Sequence, residues 1–96
     1  MLISIIIPCY NEKNTILKIL NKVKNKKINK QIIVIDDSST DGTTNILKKN
    51  FKKKGFKLIS HKKNLGKGAA IKSAKKFIKG DIVIIQDADL EYDPKD

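Results

Sequence analysis

Residues 30–47 read KQIIVIDDSSTDGTTNIL and combine an apolar run, a polar cluster and the start of a segment with helical spacing. The apolar run over 31–35 is rich in β-branched residues, which favour a β-strand. Ser and Asp residues such as those in the cluster commonly start helices. Ile46, Leu47 and Phe51 then fall on one face of a helix that ends at Gly55. The stretch therefore predicts a strand, a loop and a helix, in that order.

The same alternation extends in both directions along the chain. Apolar runs rich in branched residues predict further strands at Leu2 to Ile7, Phe56 to Ser60 and Asp81 to Ile85. We expect Pro8 to end the first of these strands, because proline cannot donate to a sheet ladder.

Two more segments with helical spacing lie between these runs. The first places Ile16, Leu20 and Val23 on one face, with Asn11 or Asn14 available as N-cap. The last has an apolar face and ends at Gly80; that face consists of Ala70, Ile71, Ala74, Phe77 and Ile78. The predicted order is βαβαβαβ, which indicates an α/β fold with a mostly parallel sheet between two layers of helices.

The composition indicates one small domain and restricts its partners. The chain has 96 residues and a net charge of +11, and every basic side chain other than His61 is lysine. Sequence-specific nucleic-acid readers rely on arginine and single-strand binders on aromatic side chains, so we do not expect a nucleic-acid partner. A lysine-rich solvated surface, with weak attraction to anionic membranes or phosphate ligands, explains the charge better.

The single cysteine and the N-terminal segment indicate a reducing compartment. Cys9 has no partner for an internal disulfide. The apolar run MLISIII lacks a preceding basic region and is interrupted by Pro8, far short of the roughly 20 residues of a membrane span. We therefore interpret it as a core strand and expect a cytoplasmic location.

Polar clusters follow all four predicted strands. They are PCYNE at 8–12, DDSSTDGT at 36–43, HKKNLGKG at 61–68 and QDADLE at 86–91. Ligands of open α/β sheets bind outside the carboxyl ends of the strands. We therefore expect the four clusters to meet in one crevice.

The last cluster places carboxylates at every second position, Asp87, Asp89 and Glu91. In an extended chain alternate side chains point to the same side, so the three would repel one another unless a hard divalent cation lay between them. Mg²⁺ or Mn²⁺ fits such oxygen ligands, and Mg²⁺ commonly takes further ligands from substrate phosphates. The pattern thus indicates a diphosphate-bearing substrate; the alternative is a solvated acidic loop.

The remaining clusters each allow a ligand-binding and a structural interpretation. Asp37 is placed to accept a hydrogen bond from a ribose or a base, whereas Asp41 suits a helix cap. Gly66 and Lys67 resemble a phosphate-binding helix start but lack the Walker spacing, so simple helix entry is the alternative. Tyr10 and Glu12 could contact a base or serve packing and helix charge. For His61 we expect a non-catalytic role.

Taken in order, PCYNE, DDSSTDGT, NLGKGAA and QDADLEYDP resemble the N-terminal, nucleotide-sugar-binding half of family 2 glycosyltransferases. The last motif is most similar to the polyprenol-phosphate branch, which includes dolichol-phosphate mannosyltransferase-like proteins. The resemblance spans Pro8 to Pro94. It implies a GT-A fold, with residues 1–96 as the donor-binding part of a glycosyltransferase domain that continues beyond this chain.

The resemblance also implies roles for individual residues. Pro8, Tyr10 and Glu12 would line the nucleotide pocket, and Ile35 with Asp37 would meet the base and ribose. Asp87 and Asp89 correspond to the family's DxD pair and would join the metal to the diphosphate. Glu91 would be the third metal ligand, and Ala88 would touch the donor. Ser38 and Glu91 depart from the common Gly and Gln of the family, but neither change removes a carboxylate. No catalytic base is identified in this chain.

The function implied by the resemblance is metal-dependent transfer of a sugar, with inversion, from a UDP- or GDP-sugar. The expected acceptor is a polyprenol phosphate or a cell-envelope glycan, which suggests work at the inner face of the membrane and peripheral association with it. Two alternatives are a non-catalytic nucleotide-binding or interaction module and a basic binder of nucleic acids or membrane surfaces.

Overall fold

The computed structural model describes residues 1–88, and the strands and helices alternate throughout this range. The elements are β1 (Ile3–Cys9), α1 (Ile16–Lys24), β2 (Lys30–Asp36), α2 (Thr43–Lys54), β3 (Lys57–Ser60), α3 (Lys67–Ala74) and β4 (Ile82–Ile85), with a 3₁₀ turn at Lys75–Phe77. The order βαβαβαβ is confirmed, as is the end of α2 at Gly55.

The described strands form one parallel sheet in the order β3-β2-β1-β4. Ile5 of the central strand β1 pairs with Ile32 of β2 on one side and with Ile84 of β4 on the other. Along the chain, β2 lies beside β1 and β3 lies beside β2. The chain then crosses back, and β4 lies on the other side of β1. The strand order therefore reverses at β1, which is the position where open α/β sheets bind ligands.

Helices cover both faces of the sheet at the inner strands β1 and β2, as the near-continuous apolar strands predict. On one face, Ile5 and Ile7 of β1 and Val34 of β2 pack in a core with α1 and α2. On the other face, Ile6, Ile33 and Ile35 pack against Ala70 and Ala74 of α3. The small alanine side chains let α3 lie close to the sheet, and the predicted three-layer α/β/α architecture is confirmed.

Pro8 does not end β1, as the sequence suggested, because the strand continues to Cys9. The backbone oxygen of Ile6 accepts a hydrogen bond from Gln86 N–H. Backbone groups alternate in direction along a strand, so those of Ile6 and Pro8 both point towards β4. β4 ends at Ile85, and the missing N–H of Pro8 therefore lies beyond the last paired residue of β4. Pro8 thus costs β1 none of its bonds to β2.

The expected N-caps of α1 are also wrong, because the residue before the helix is Thr15. Asn11 lies outside the helix with φ of +52°, and its side-chain oxygen accepts the backbone N–H of Thr40 at 2.7 Å. It ties the loop after β1 to the loop after β2. Asparagine is a frequent helix cap, but here the side chain of Asn11 is hydrogen-bonded to Thr40, a loop residue distant in sequence.

The last helix ends at Ala74, six residues before the expected stop at Gly80. Side chains from the sheet bind the backbone that follows: Gln31 donates to the backbone oxygen of Phe77 at 2.7 Å and accepts from Lys79 N–H at 2.9 Å. Phe77 and Ile78 still pack on the core as the pattern predicted. The apolar spacing therefore persists beyond the regular helix.

The edge strand β4 is exposed along its whole length. Its four residues, Ile82 to Ile85, keep 43–45% of their surface accessible although all are aliphatic.

Among the described helices, none combines the length and apolar character needed to cross a bilayer.

Candidate functional site

A pocket of about 330 Å³ lies at the carboxyl ends of the strands, where the strand order reverses at β1. Its walls come from the end of β1, the loop after β2, the first turns of α3 and the residues after β4. The lining residues are Pro8, Cys9, Tyr10, Glu12, Asp37, Lys67, Ala70, Asp87 and Ala88. Residues from all the clusters that the sequence singled out meet here or directly beside it.

Glu12 is held at the mouth of the pocket by two threonines. Its carboxylate accepts the Thr15 hydroxyl at 2.9 Å, and its backbone N–H donates to Thr43 at 3.1 Å. The same Thr15 hydroxyl lies 2.8 Å from the backbone oxygen of Ala88. Thr15 therefore joins the start of α1 to the residues after β4, and it fixes one carboxylate on the wall.

Asp37 is 4% exposed, and its carboxylate is bound by its own chain. Its Oδ1 accepts Leu65 N–H at 2.9 Å and contacts His61 Nδ1 at 2.8 Å, and its Oδ2 accepts Gly66 N–H at 2.8 Å. Burial alone would raise the pKa of this carboxyl, but the hydrogen bonds from Leu65, His61 and Gly66 outweigh it and hold the pKa below its ordinary value. Asp37 is therefore ionised at neutral pH, with an edge on the pocket wall.

The neighbouring acids serve the loop after β2. Asp36 is fully buried; its carboxylate accepts the backbone N–H of Ser39 at 3.1 Å and the hydroxyl of Thr44. Asp41 accepts from the backbone and hydroxyl of Thr43 and from Lys13 N–H. Burial opposes ionisation of Asp41, but these hydrogen bonds keep its pKa below the ordinary value. Both residues act at the start of α2, as the capping interpretation of Asp41 suggests.

The opposite wall carries an exposed ion pair. Lys67, the first residue of α3, places its Nζ 2.7 Å from Oδ1 of Asp87, and both side chains are more than half accessible. Exposed pairs of this kind contribute only about 0–1 kcal/mol to stability. Both charges therefore remain available to a ligand that enters the pocket.

The chemistry of this wall suits a hard cation in part. Asp87 presents carboxylate oxygen at the pocket, and Mg²⁺ commonly needs only one or two protein carboxylates beside water and substrate phosphates. Within residues 1–88 no three His, Cys, Asp or Glu side chains cluster as a ready metal site. Asp89 and Glu91, the other two expected ligands, lie outside the described residues.

Two expected site residues do not line the pocket. Ile35 is wholly buried against α3 in the core, and Gly66 lies behind the wall, where it donates to Asp37. Gly66 adopts φ of +94°, a conformation that favours glycine, and α3 begins at the next residue. The helix-entry interpretation of Gly66 thus describes what its backbone does.

Sequence reasoning missed several residues that form the site. Cys9 and Ala70 line the pocket, and Thr15 and Ser73 hold polar groups behind it. Burial, with the nearby Asp36, Glu12 and Asp41 carboxylates, raises the pKa of the Cys9 thiol to about 12, so this thiol is neutral and unreactive. Their places in PCYNE and NLGKGAA were the available signals for Cys9 and Ala70, whereas Thr15 and Ser73 lie outside the motifs.

Comparison with known proteins agrees with the fold and the motifs. A family model described as glycosyl transferase family 2 matches residues 4–96. An undecaprenyl-phosphate 4-deoxy-4-formamido-L-arabinose transferase from Aeromonas hydrophila is 36% identical over 101 residues, covering 99% of this chain and 31% of the relative. A dolichol-phosphate mannosyltransferase from Pyrococcus furiosus is 32% identical over 97 residues, covering 99% and 28%. The chain spans less than a third of the length of these relatives.

Solved structures give the same result at the level of the fold. TarS residues 1–349 from S. aureus, in complex with UDP-GlcNAc, superimposes with a TM-score of 0.82 at 31% identity, covering 93% of this chain and 27% of that one. The mannosyltransferase PcManGT from Pyrobaculum calidifontis, in complex with GDP-Man and Mn²⁺, has a TM-score of 0.82 at 28% identity, covering 91% and 27%. The expected N-terminal portion of a GT-A fold is confirmed.

Proposed function

The chain belongs to glycosyl transferase family 2, and we propose that its strand-end pocket binds the nucleotide-sugar donor of a metal-dependent, inverting sugar transfer. The observation that carries the proposal is the pocket itself. It lies where the strand order reverses and brings Tyr10, Asp37, Lys67 and Asp87 onto one surface. That surface offers an aromatic ring, carboxylates and an ammonium group, which suit a base, ribose hydroxyls and a diphosphate respectively.

Each end of the donor would meet a different wall. Pro8, Tyr10 and Glu12 lie at the end of β1 and in the loop that follows it, where they would contact the nucleoside. Lys67 would neutralise a diphosphate oxygen from the start of α3, where backbone N–H groups also favour negative charge. Ala88 lines the same pocket and follows Asp87 in the chain. Ile35 would support the base from within the core rather than touch it.

Asp87 would be one ligand of the metal, together with Asp89 and Glu91 from the acidic run. A bound Mg²⁺ or Mn²⁺ would neutralise the charge that develops on the leaving nucleoside diphosphate. Lys67 would leave Asp87 as the donor enters, because only one exposed ion pair holds its ammonium group there. Its charge then faces the diphosphate instead of the carboxylate.

The acceptor is proposed to be a polyprenol phosphate or a cell-envelope glycan. Support comes from the relatives that are undecaprenyl-phosphate and dolichol-phosphate transferases. A lipid phosphate is already a nucleophile, so no general base is required from the described residues. We place the protein in the cytoplasm at the inner face of the membrane, in peripheral contact with it. Transfer of radiolabelled sugar from UDP- or GDP-sugars to polyprenol phosphate, against free glycan acceptors, tests this acceptor class.

The donor site is tested by calorimetric titration with UDP, GDP and their common sugars, with and without Mn²⁺. We expect metal-dependent binding of one nucleotide class that weakens at least tenfold in Asp87→Asn, because one ligand charge is lost. Asp81→Asn is the matched control: this exposed aspartate lies just before β4, at the other end of the strand. Binding that is unaffected by metal and by Asp87→Asn would contradict the proposal.

A further inference from the structure

A row of three polar side chains lies behind the pocket: Asp37 is buried, and His61 and Ser73 are partly buried. His61, the only histidine of the chain, has Nδ1 2.8 Å from Asp37 Oδ1 and Nε2 2.8 Å from the hydroxyl oxygen of Ser73 on α3. The side chains of His61 and Asp37 are only 8% and 6% exposed. Both ring nitrogens are therefore occupied by protein partners, one in the loop after β2 and one on α3.

The partners fix which nitrogen carries the proton. An ionised carboxylate can only accept, so the hydrogen at Nδ1 is donated to Asp37. In the neutral ring Nε2 then accepts from the Ser73 hydroxyl, which can rotate to donate. Ser73 thus fixes the ring at Nε2, while Nδ1 binds Asp37. In proteins generally, the hydrogen bond at one ring nitrogen of a histidine sets the orientation and proton position of the other.

The row continues from Asp37 into the pocket wall. The two oxygens of Asp37 accept the backbone N–H groups of Leu65 and Gly66. Gly66 is followed by Lys67, which reaches Asp87 from the first turn of α3. The Asp37 carboxylate therefore binds the two residues that directly precede α3 and Lys67.

We propose that His61 is a positioning residue of the pocket, which holds the Asp37 carboxylate in the one orientation that ties down the 62–66 loop and places Lys67 opposite Asp87. His61 does not line the pocket, and it acts on a ligand only through Asp37. The part of the inference that concerns ligand affinity rests on the proposed function. The part that concerns the loop does not.

The test is amide hydrogen exchange measured by NMR in His61→Ala, His61→Asn and the control Lys62→Ala. We expect Leu65 and Gly66 to exchange at least tenfold faster in His61→Ala, and the Asp37 carboxyl to titrate nearer its ordinary pKa. Asparagine can place an N–H close to the position of Nδ1, so His61→Asn should restore much of the protection. Lys62 is exposed, and its removal should change neither readout.

A milder variant keeps the test decisive if His61→Ala does not fold. Ser73→Ala removes only the anchor at Nε2 and should speed Leu65 and Gly66 exchange in the same direction by a smaller factor. Unchanged exchange at both amides in a folded His61→Ala, or in Ser73→Ala if the former is unfolded, would overturn the inference. It would show that Asp37 holds the loop without help.

Ligand affinity gives the second readout. With Mn²⁺ and the nucleoside diphosphate that binds the wild-type chain, we expect about tenfold weaker binding to His61→Ala and a smaller loss for His61→Asn. Wild-type affinity in a folded His61→Ala would overturn the link from the loop to the ligand. If the wild-type chain binds no nucleotide, the proposed function fails, whereas the exchange result still decides the role of His61.

Discussion

Asp37 shows how a residue expected to meet a ligand also serves the fold. Its position in an acidic pair at the end of a parallel strand predicted a ligand-facing carboxylate, and Asp37 does line the pocket. Its oxygens, however, accept from His61, Leu65 and Gly66, which are 24 to 29 residues away in sequence. No local sequence pattern predicts these partners, because they depend on how β3 and α3 are placed against β2.

The depressed pKa of Asp37 makes a prediction about stability against pH. A carboxyl with a lower pKa in the folded than in the unfolded state stabilises the fold above its ordinary pKa of 3.8, and the contribution is lost as pH falls through the lower, folded value. We expect Asp37→Asn to lower the free energy of unfolding by about 1–3 kcal/mol at pH 7. The difference from wild type should shrink on acidification below pH 4.

Urea unfolding followed by circular dichroism at pH 7, 5, 4 and 3 measures this difference. The control is Asp81→Asn, because Asp81 is exposed and its carboxylate accepts one long hydrogen bond, of 3.2 Å, from Leu2 N–H. A destabilisation by Asp37→Asn that stays constant from pH 7 to pH 3 would show that the charge of Asp37 is not what matters.

At the scale of elements, the end of α3 is decided by the sheet rather than by helix propensity. Gly80 donates its backbone N–H to the Ser4 hydroxyl at 2.8 Å, in the segment that leads into β4. A Cβ on Gly80 would lie 2.5 Å from that oxygen and 2.6 Å from the Ser4 backbone nitrogen. Glycine is therefore required here by close approach to β1, and not as a helix stop.

Gly80→Ala should consequently destabilise the protein by about 2 kcal/mol or more, because backbone atoms must shift to admit the methyl group. Gly68→Ala is the matched control, since that glycine lies in the first turn of α3 with no atom within 4 Å of its added Cβ. We expect the control to be neutral or to stabilise by about 0.5–1 kcal/mol. Thermal unfolding of both variants tests the comparison, and equal effects would contradict the close approach.

The elements themselves were predictable because their patterns are local. Branched aliphatic runs and spacing of three and four residues predicted the four strands and three helices of residues 1–88 in the correct order. The boundaries were less predictable, since Pro8 continues β1, Thr15 precedes α1, and Gln31 and Ser4 bind the segment after α3. Each boundary depends on a partner from another element. The meeting of the polar clusters followed from parallel topology alone.

At the scale of the whole molecule, the exposed edge of β4 favours self-association. Val83 and its three aliphatic neighbours are each 43–45% accessible at the end of the sheet. Unpaired aliphatic edges are templates for strand addition, and an inserted charge prevents it. We expect the chain to associate with rising concentration and Val83→Lys to remain monomeric under the same conditions.

Sedimentation velocity over a hundredfold range of concentration measures this association. Ile28→Lys adds the same charge at another exposed aliphatic residue, in the α1–β2 connection, and should associate as wild type does. Equal suppression by both variants would mean that net charge, rather than the β4 edge, controls association.

Charge is also distributed unevenly over the molecule. No acidic residue occurs at 13–35 or 42–80, and lysines gather where α1 and α2 end and β2 begins, at the lysine edge opposite the pocket. A second concavity of about 320 Å³ lies there among Lys24, Lys30, Lys52, Lys53 and Lys54. Any polyphosphate will be attracted to this edge at low salt. Nucleotide binding at the pocket must therefore be distinguished from attraction to the lysines.

Mapping of amide chemical shifts during titration with a nucleoside diphosphate and Mg²⁺, at 150 mM salt, makes that distinction most directly. If the strand ends form a donor site, saturable shifts should concentrate at Cys9, Tyr10, Glu12, Lys67 and Ala88, and they should depend on the metal. The amides of Lys24 and Lys53 should move little. Shifts confined to the lysine edge, weakening with salt and indifferent to Mg²⁺, would contradict the assignment of the pocket as the donor site.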